Sequence, residues 1–422
     1  MNNTVTELAE KNIQKGWDFI FDKLYYPKTH MIYDFLYKDS IEESVDFYPK
    51  AEEIKESFPN PCGWGTGMED STLNLCTMLE AIENRYLATK DKTLKKYFDM
   101  MLEGLMITGT ISGSPGFIAR CTSPSDGKSV YMDTSRDQYT HWVFAGHIIQ
   151  NSPLATDEQK KQTSDVLVNI AKKMEREVTK ENGGYSLRLD GGRGRVCQMI
   201  STDKAPLGPH EILRFPMFYL AAYEASGDMH WLEKYHEYRE EMLYETEKGF
   251  TVEWIEKVEK SFGYVYGTYQ AQYSFRLLYD IETDEKYKER YLRLMKIAAE
   301  GSKAYLDTAY KNIGIYNFEQ PYYRPWREIK TVSYGNIDGY EYFVPNSTDG
   351  DEYIKGIELV RKNLRNTGEV VIIHNLCPDI TLDDKHAEMF IKIIENTNFD
   401  NIKSYWPIVL CGAWWGLMAD KK

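Results

Sequence analysis

Four stretches of the chain place ionisable side chains where they could do chemistry. In CGWGTGMEDS (62–71), Glu69 and Asp70 are adjacent carboxylates at the start of an apolar run, behind a glycine-rich turn that carries Trp64. In DTSRDQYTHW (133–142), the dense charges Arg136 and Asp137 lead into the most apolar segment of the chain. Asp137 and His141 stand at i and i+4 and so share one face of a helix, a spacing that could tune a general acid or base. In SLRLDGGRGRV (186–196), Arg188, Arg193 and Arg195 outnumber Asp190 within an acidic protein. Guanidinium forks match carboxylates and sulfates in bidentate fashion, and with Arg120 they suggest an acidic ligand such as a uronate. In LGPHEILRFP (207–216), His210 and Glu211 open another apolar run, and His210 is a candidate base. Aromatic side chains then concentrate in 309–350, where Tyr322, Tyr323 and Trp326 could form a flat platform for a sugar.

Each feature has a plainer reading. Asp70 or Ser71 could simply cap a helix. Asp137 could serve a cap or an ion pair, the arginines could decorate a solvated turn, and His210 could be structural. The aromatic segment could be packing. Gly-Gly-Arg-Gly is no dinucleotide fingerprint, since no strand and helix flank it. The sequence has no GxSxG elbow, HExxH, P-loop or CxxC pair, which argues against serine hydrolases, zincins and NTPases. No metal and no cofactor are expected.

The elements that would position these groups are helices of two kinds. QYTHWVFAGHII (138–149), ILRFPMFYLAAYEA (212–225) and WPIVLCGAWWGLM (406–418) are apolar nearly all round and must be buried all round. EQKKQTSDVLVNIAKKMEREV (158–178) and EKYKERYLRLMKIAAE (285–300) carry one apolar stripe each. An apolar helix, a short polar turn and an Asp before a charged helix recur, with Asp91, Asp157, Asp228 and Asp284 as the expected N-caps. Long connections, at 108–136, 179–210, 247–263 and 308–350, lead back into the apolar helices. If the two kinds alternate as an inner and an outer layer, those long loops gather on one rim, at the positive ends of the inner helix dipoles. The segment 308–382 departs from this grammar, and GEVVIIHNLC (368–377) could be a short strand.

The pattern resembles the six-hairpin glycosidase superfamily, all-α (α/α)6 toroids of carbohydrate-active enzymes. The likeness is architectural, covers roughly residues 5–420 and implies one toroid domain over 1–422, with a few short strands in the long loops. Unsaturated uronyl hydrolases of glycoside hydrolase families 88 and 105 are the comparison within it, though none of their motifs matches residue by residue. The resemblance implies an active-site funnel on the loop-bearing rim. A glycoside hydrolase needs one protonated and one ionised carboxyl, and Asp137 with Asp70 or Glu69 are the candidates. Two alternatives stay open. In a polysaccharide lyase, Arg188, Arg193 and Arg195 would neutralise a uronate while Tyr139, His141 or His210 abstracts its proton. In a non-catalytic sugar-binding toroid, the same rim would bind without turnover.

Composition bounds the partners. Net charge is −14, which disfavours nucleic acid because phosphate binding needs a basic face. No apolar run is long enough to span a bilayer and no basic amphipathic helix is evident. The six cysteines are widely spaced and read as buried, reduced thiols. The first residues lack the pattern of a secretory signal, so the cytoplasm is the default expectation. Oligomeric state is left open.

Overall fold

The structure, a computed structural model, describes residues 6–419 except 260, 262, 264, 315–318 and 346–351. The protein is mostly helical. Its longer described helices are α1 (Glu7–Phe19), α2 (Ser71–Thr89), α3 (Lys95–Thr110), α4 (Arg136–Asn151), α5 (Asp157–Glu177), α6 (Arg214–Ser226), α7 (Met229–Gly249), α8 (Tyr266–Ile281), α9 (Glu285–Lys311), α10 (Glu352–Leu376), α11 (Asp384–Asn396) and α12 (Pro407–Met418). Among the described residues, strand is confined to three antiparallel pairs: β1 (Tyr25–Tyr26) with β2 (Met31–Ile32), β3 (Tyr185–Leu187) with β4 (Arg193–Gln198), and β5 (Thr331–Ile337) with β6 (Tyr340–Pro345). Among the described residues, no helix is long and apolar enough to cross a membrane.

Burial separates the helices into two classes. In α2 every residue from Ser71 to Glu83 is buried, and in α6 every residue from Arg214 to Ala222. In α5 burial follows a stripe through Thr163, Val166, Leu167, Ile170, Ala171 and Met174, the spacing of one helix face. Helices α2, α4, α6, α8 and α12 belong to the first class, as does α10 from Asn363 onward, and the odd-numbered helices belong to the second. Neighbours in sequence pair as hairpins, α2 with α3, α4 with α5, α6 with α7 and α8 with α9. The even helices also contact one another in order, α2 with α4, α4 with α6, α6 with α8, α8 with α10, α10 with α12 and α12 with α2. One contiguous cluster of buried apolar side chains runs from Ala9 to Leu417.

The turns have identifiable causes. Asp228 and Asp284 accept the backbone N–H two residues on and start α7 and α9, and Asp91 does the same for the short 3-10 turn ahead of α3. Asp157 is a correction: Thr156 is the N-cap of α5, in a reciprocal capping box with Gln159, and Asp157 is merely an acid in the first turn, where the helix dipole favours it. The short turns lie after the buried helices and the long connections lead into them. Two of those connections, 247–263 and 308–350, fall partly outside the described residues.

A second correction concerns 368–377. It lies in α10 rather than a strand, because its upstream partner residues extend the helical run back to Glu352 and its β-branched side chains are packed on all sides. Periodicity alone does not separate a short apolar strand from a buried helix. Gly368 lets α10 approach α12 closely: a Cβ there would sit 2.8 Å from the Val409 carbonyl carbon and oxygen. A Gly368→Val substitution must therefore push the two helices apart. Overpacking of this kind costs about 1–3 kcal/mol, so the urea midpoint of unfolding is expected to fall.

Candidate functional site

Arg136 and Asp137 open α4 behind Ser135, whose Oγ accepts the Gln138 N–H and caps the helix. Asp137 cannot point into the core, so it finds partners at the helix end. Its Oδ1 accepts from Arg214 Nη1 at 2.6 Å, from the first residue of α6, and its Oδ2 from the Tyr266 hydroxyl at 3.3 Å, from the first residue of α8. The Arg365 guanidinium of α10 lies over the Tyr266 ring, 3.9 Å from its centroid. Next to Asp137, Gln138 Nε2 donates to Asp70 Oδ1 at 3.2 Å and to the Glu69 carbonyl at 3.1 Å, at the start of α2. Side chains from the N-terminal ends of α2, α4, α6 and α8 and from the middle of α10 are thus linked. The segment leading into α12 joins them, for the Arg361 guanidinium lies 5.9 Å from the Trp406 ring centroid.

Above this junction lies a cavity of about 450 Å³. Its polar lining includes Asp34, Glu69, Asp70, Arg324, Arg361 and Arg365. Its aromatic wall includes Trp64, Tyr323, Tyr334, Tyr405 and Trp406. Val344 and Pro345 of β6 close one side. The volume lies within the range of small-ligand sites.

The carboxyls differ in their protonation. Burial, and then the neighbouring Asp70, push the Glu69 carboxyl up to about 7, against the pull of Arg120 and Arg361. Burial also raises Asp70, opposed by Arg120 and Arg365. Asp34 is raised well above the carboxylate range by burial and by the Asp70 and Glu69 carboxyls. Asp137 goes the other way: burial tends to raise it, but Arg214 and Arg136 outweigh that and hold it below its ordinary value. Its side chain is 32% exposed, so this ionised carboxylate is reachable. One end of the helices therefore carries a carboxyl that keeps its proton near neutrality and another that does not, the division of labour that acid–base chemistry requires.

Of the residues singled out in the sequence, Trp64, Glu69, Asp70 and Tyr323 line the cavity. Asp137 stands beside it, joined through Gln138. Arg120 is buried beneath the same corner, donating to the Glu69 carbonyl at 3.0 Å and to the Thr134 carbonyl at 3.1 Å, with Asp70 at 3.8 Å. The others lie elsewhere. His141 is not paired with the Asp137 carboxylate. Its Nδ1 donates to the Asp137 backbone carbonyl at 3.0 Å, the ring packs between Tyr269 and Tyr273, and burial lowers it to about 4. It lines a smaller space below the cavity, with Tyr266, Tyr269, Arg365 and Glu369. Tyr139 is wholly buried against Phe218. Arg136 is engaged by Glu211 and by the Gln198 carbonyl. His210 packs on Trp254, and burial lowers it to about 4.

The arginine cluster is the largest departure. Arg188 is bidentate to Asp190 at 3.0 and 3.1 Å and donates to the Ile337 carbonyl at 3.3 Å. Arg193 donates through its backbone N–H and guanidinium to Asp338, and Arg195 to the Tyr334 carbonyl at 2.6 Å. These side chains hold the β5–β6 hairpin, which also sends the Tyr342 hydroxyl to the buried Asp133 at 2.6 Å. Arg188 is paired with Asp190 of its own loop and Arg193 with Asp338 of the hairpin, while the exposed Arg195 meets a hairpin carbonyl, and none of the three lines the cavity. Trp326 is likewise no platform, since its ring is buried and its Nε1 donates to the Phe47 carbonyl. Tyr322 faces Asp39 at the surface. The plainer reading of these aromatics, packing, fits their environments. Residues 315–318 and 346–350 of that segment lie outside the described residues.

Sequence reasoning missed Asp34, Arg324, Arg361, Arg365, Tyr405 and Trp406. Arg361, Arg365 and Glu369 recur every four residues on the helix that becomes the apolar run 370–377, and that spacing was the available signal. Asp34 stands alone between aromatic residues, and nothing local marks it. All six cysteines are buried and unpaired, and no cluster able to hold a metal occurs among the described residues. No family model matches the chain, and no curated protein matches it.

The raised Glu69 carboxyl has a consequence for stability. The folded protein holds this proton more tightly than the unfolded chain, so the associated stability is complete below the ordinary value of 4.5 and fades as pH rises through about 7. Glu69→Gln cannot ionise and escapes that loss. Relative to the parent, the variant is expected to gain on the order of 1 kcal/mol between pH 5 and pH 8. Urea unfolding at the two pH values measures it.

Proposed function

We propose that the chain is an (α/α)6 toroid and a glycoside hydrolase acting on an oligosaccharide that carries a uronate or similarly anionic sugar. The toroid reading draws on the order of contacts, in which each even helix meets the next and α12 meets α2. With α3, α5, α7 and α9 outside their partners and α1 packed on α12 and α11, the even helices form the inner layer.

The observation that carries the catalytic reading is the junction at the N-terminal ends of those helices. It joins a carboxyl that titrates near neutrality, Glu69, to an ionised one, Asp137, beside a cavity lined by arginines and aromatic rings. Hydrolysis of a glycosidic bond uses both. Glu69 delivers its proton to the leaving oxygen as the bond to the anomeric carbon breaks. Asp137 either takes a proton from a water molecule as that water attacks the carbon, or attacks the carbon itself to form an ester that water then hydrolyses; either way water supplies the new hydroxyl. Asp70 keeps Glu69 protonated through its own nearby charge. Arg361 and Arg365, the latter also paired with Glu369 at 2.7 Å, bring positive charge to the cavity lining, and Trp64, Tyr405 and Trp406 supply aromatic rings for sugar stacking. The elimination alternative relied on Arg188, Arg193 and Arg195, which the hairpin engages, and no observation favours it.

The test is release of reducing ends from a panel of uronate-containing oligosaccharides. Glu69→Gln and Asp137→Asn are each expected to lower kcat at least about 100-fold, the scale of losing a positioned acid or base. Undiminished turnover in both variants would sink the assignment. An ultraviolet-absorbing unsaturated product would mark elimination instead. Binding without turnover, unaffected by either substitution, would mark a non-catalytic sugar-binding protein.

A further inference from the structure

Asp34 takes no part in the scheme above, yet it is the most heavily engaged carboxylate at the site. It lies just after β2 and is 2% exposed. Its Oδ2 accepts the Glu69 N–H at 2.8 Å, and both of its oxygens lie 3.2 Å from the Asp70 N–H. Oδ1 also accepts from Asn74 Nδ2 at 3.0 Å, one turn into α2. The backbone of Asp34 is pinned as well. Its N–H donates to the Gly67 carbonyl at 3.1 Å, and its carbonyl accepts the Tyr405 N–H at 3.0 Å.

Asp70 occupies the N-cap position of α2, where an aspartate ordinarily spends its carboxylate on the first helical N–H groups. Here it makes no such bond. The donors are satisfied by residues from outside the helix: the Asp70 N–H by Asp34, and the Thr72 N–H by the Arg120 carbonyl at 3.0 Å. Freed from that duty, the Asp70 carboxyl meets Gln138 and Arg120 at the cavity wall.

We propose that Asp34 is a positioning residue that caps α2 from outside and so holds the Glu69–Asp70 peptide with both carboxyls turned to the cavity. The proposal rests on reading Glu69 and Asp70 as carboxyls of the reaction. The charged and titratable groups around Asp34 are Glu69 and Asp70 on its own loop partner, Arg120 beneath, Arg361 and Arg365 from α10, and Tyr48, Cys121 and Tyr405. What Asp34 supplies against all of them is an acceptor at two backbone N–H groups.

Two readouts test this on the full-length protein. The first is hydrogen–deuterium exchange of the peptide covering residues 67–75, which needs no substrate. Asp34→Ala removes the acceptor and is expected to speed exchange there at least about 10-fold, whereas Asp34→Asn keeps an amide oxygen in place and retains most of the protection. The second is turnover on the uronate oligosaccharide panel. Asp34→Ala is expected to lower kcat about 10- to 100-fold with little change in KM, since misplacing a reacting group costs on that scale, and Asp34→Asn is expected to restore most of it. Unchanged exchange in Asp34→Ala overturns the capping. Faster exchange with unchanged kcat overturns the positioning. If Asp34→Ala does not fold, Asp34→Asn decides alone, and loss of protection or of kcat in that folded variant overturns the proposal. A parent protein inactive on every oligosaccharide sinks the hydrolase reading, while the exchange result still determines what caps α2.

Discussion

A helix surrounded by protein can keep an ionisable group only where that group finds a partner, as Glu80 does with Tyr273 and Glu83 with Ser152 in the middle of α2. Six helices here are buried on most of their circumference. A charged side chain on such a helix is costly in mid-span unless it is paired. The helix starts are where such partners are easiest to find, because neighbouring helices present theirs there. Asp70, Asp137, Arg214 and Tyr266 meet at helix starts, and Arg365 joins them from the middle of α10. The cluster is a consequence of burial before it is a device for chemistry, and its perturbed carboxyls follow from the same burial.

The loops inherit the complementary problem. They must cover the open end of the helices without closing it. The β5–β6 hairpin does so by lying over Trp64 and Val196, and its contact with the helical body is largely polar: Arg188, Arg193 and Arg195 on one side, Asp133 on the other. Charge is thus used twice on this rim. Arginines of the 186–196 loop fasten a wall, and arginines of α10 face the space behind it.

The two helix classes were legible in the sequence because burial imposes a pattern that a single helix displays by itself. QYTHWVFAGHII and the stripe from Thr163 to Met174 carry that information locally. Glu69, Asp70 and Asp137 were legible for the related reason that they begin apolar runs. The partners were not. Arg214 reads as an ordinary residue of the 212–225 helix, and only its position across from Asp137 gives it meaning. The arginines of 186–196 misled because a sequence shows charges and not the carboxylates and carbonyls that satisfy them, here contributed by Asp338 and Tyr334 from far along the chain. Asp157 misled for a smaller reason, as Thr156 one residue earlier makes the better reciprocal cap with Gln159.

The pairing of α2 with α12 brings together segments from opposite parts of the chain. During synthesis, at about 5–20 residues per second, α2 emerges tens of seconds before its neighbour exists. Its apolar surface must wait, covered only by α3 and α4. The core is therefore completed as a late, long-range step, with a large loop-closure cost and a period of exposure to aggregation. A cell making this protein has to shelter an unfinished helical core until α12 arrives.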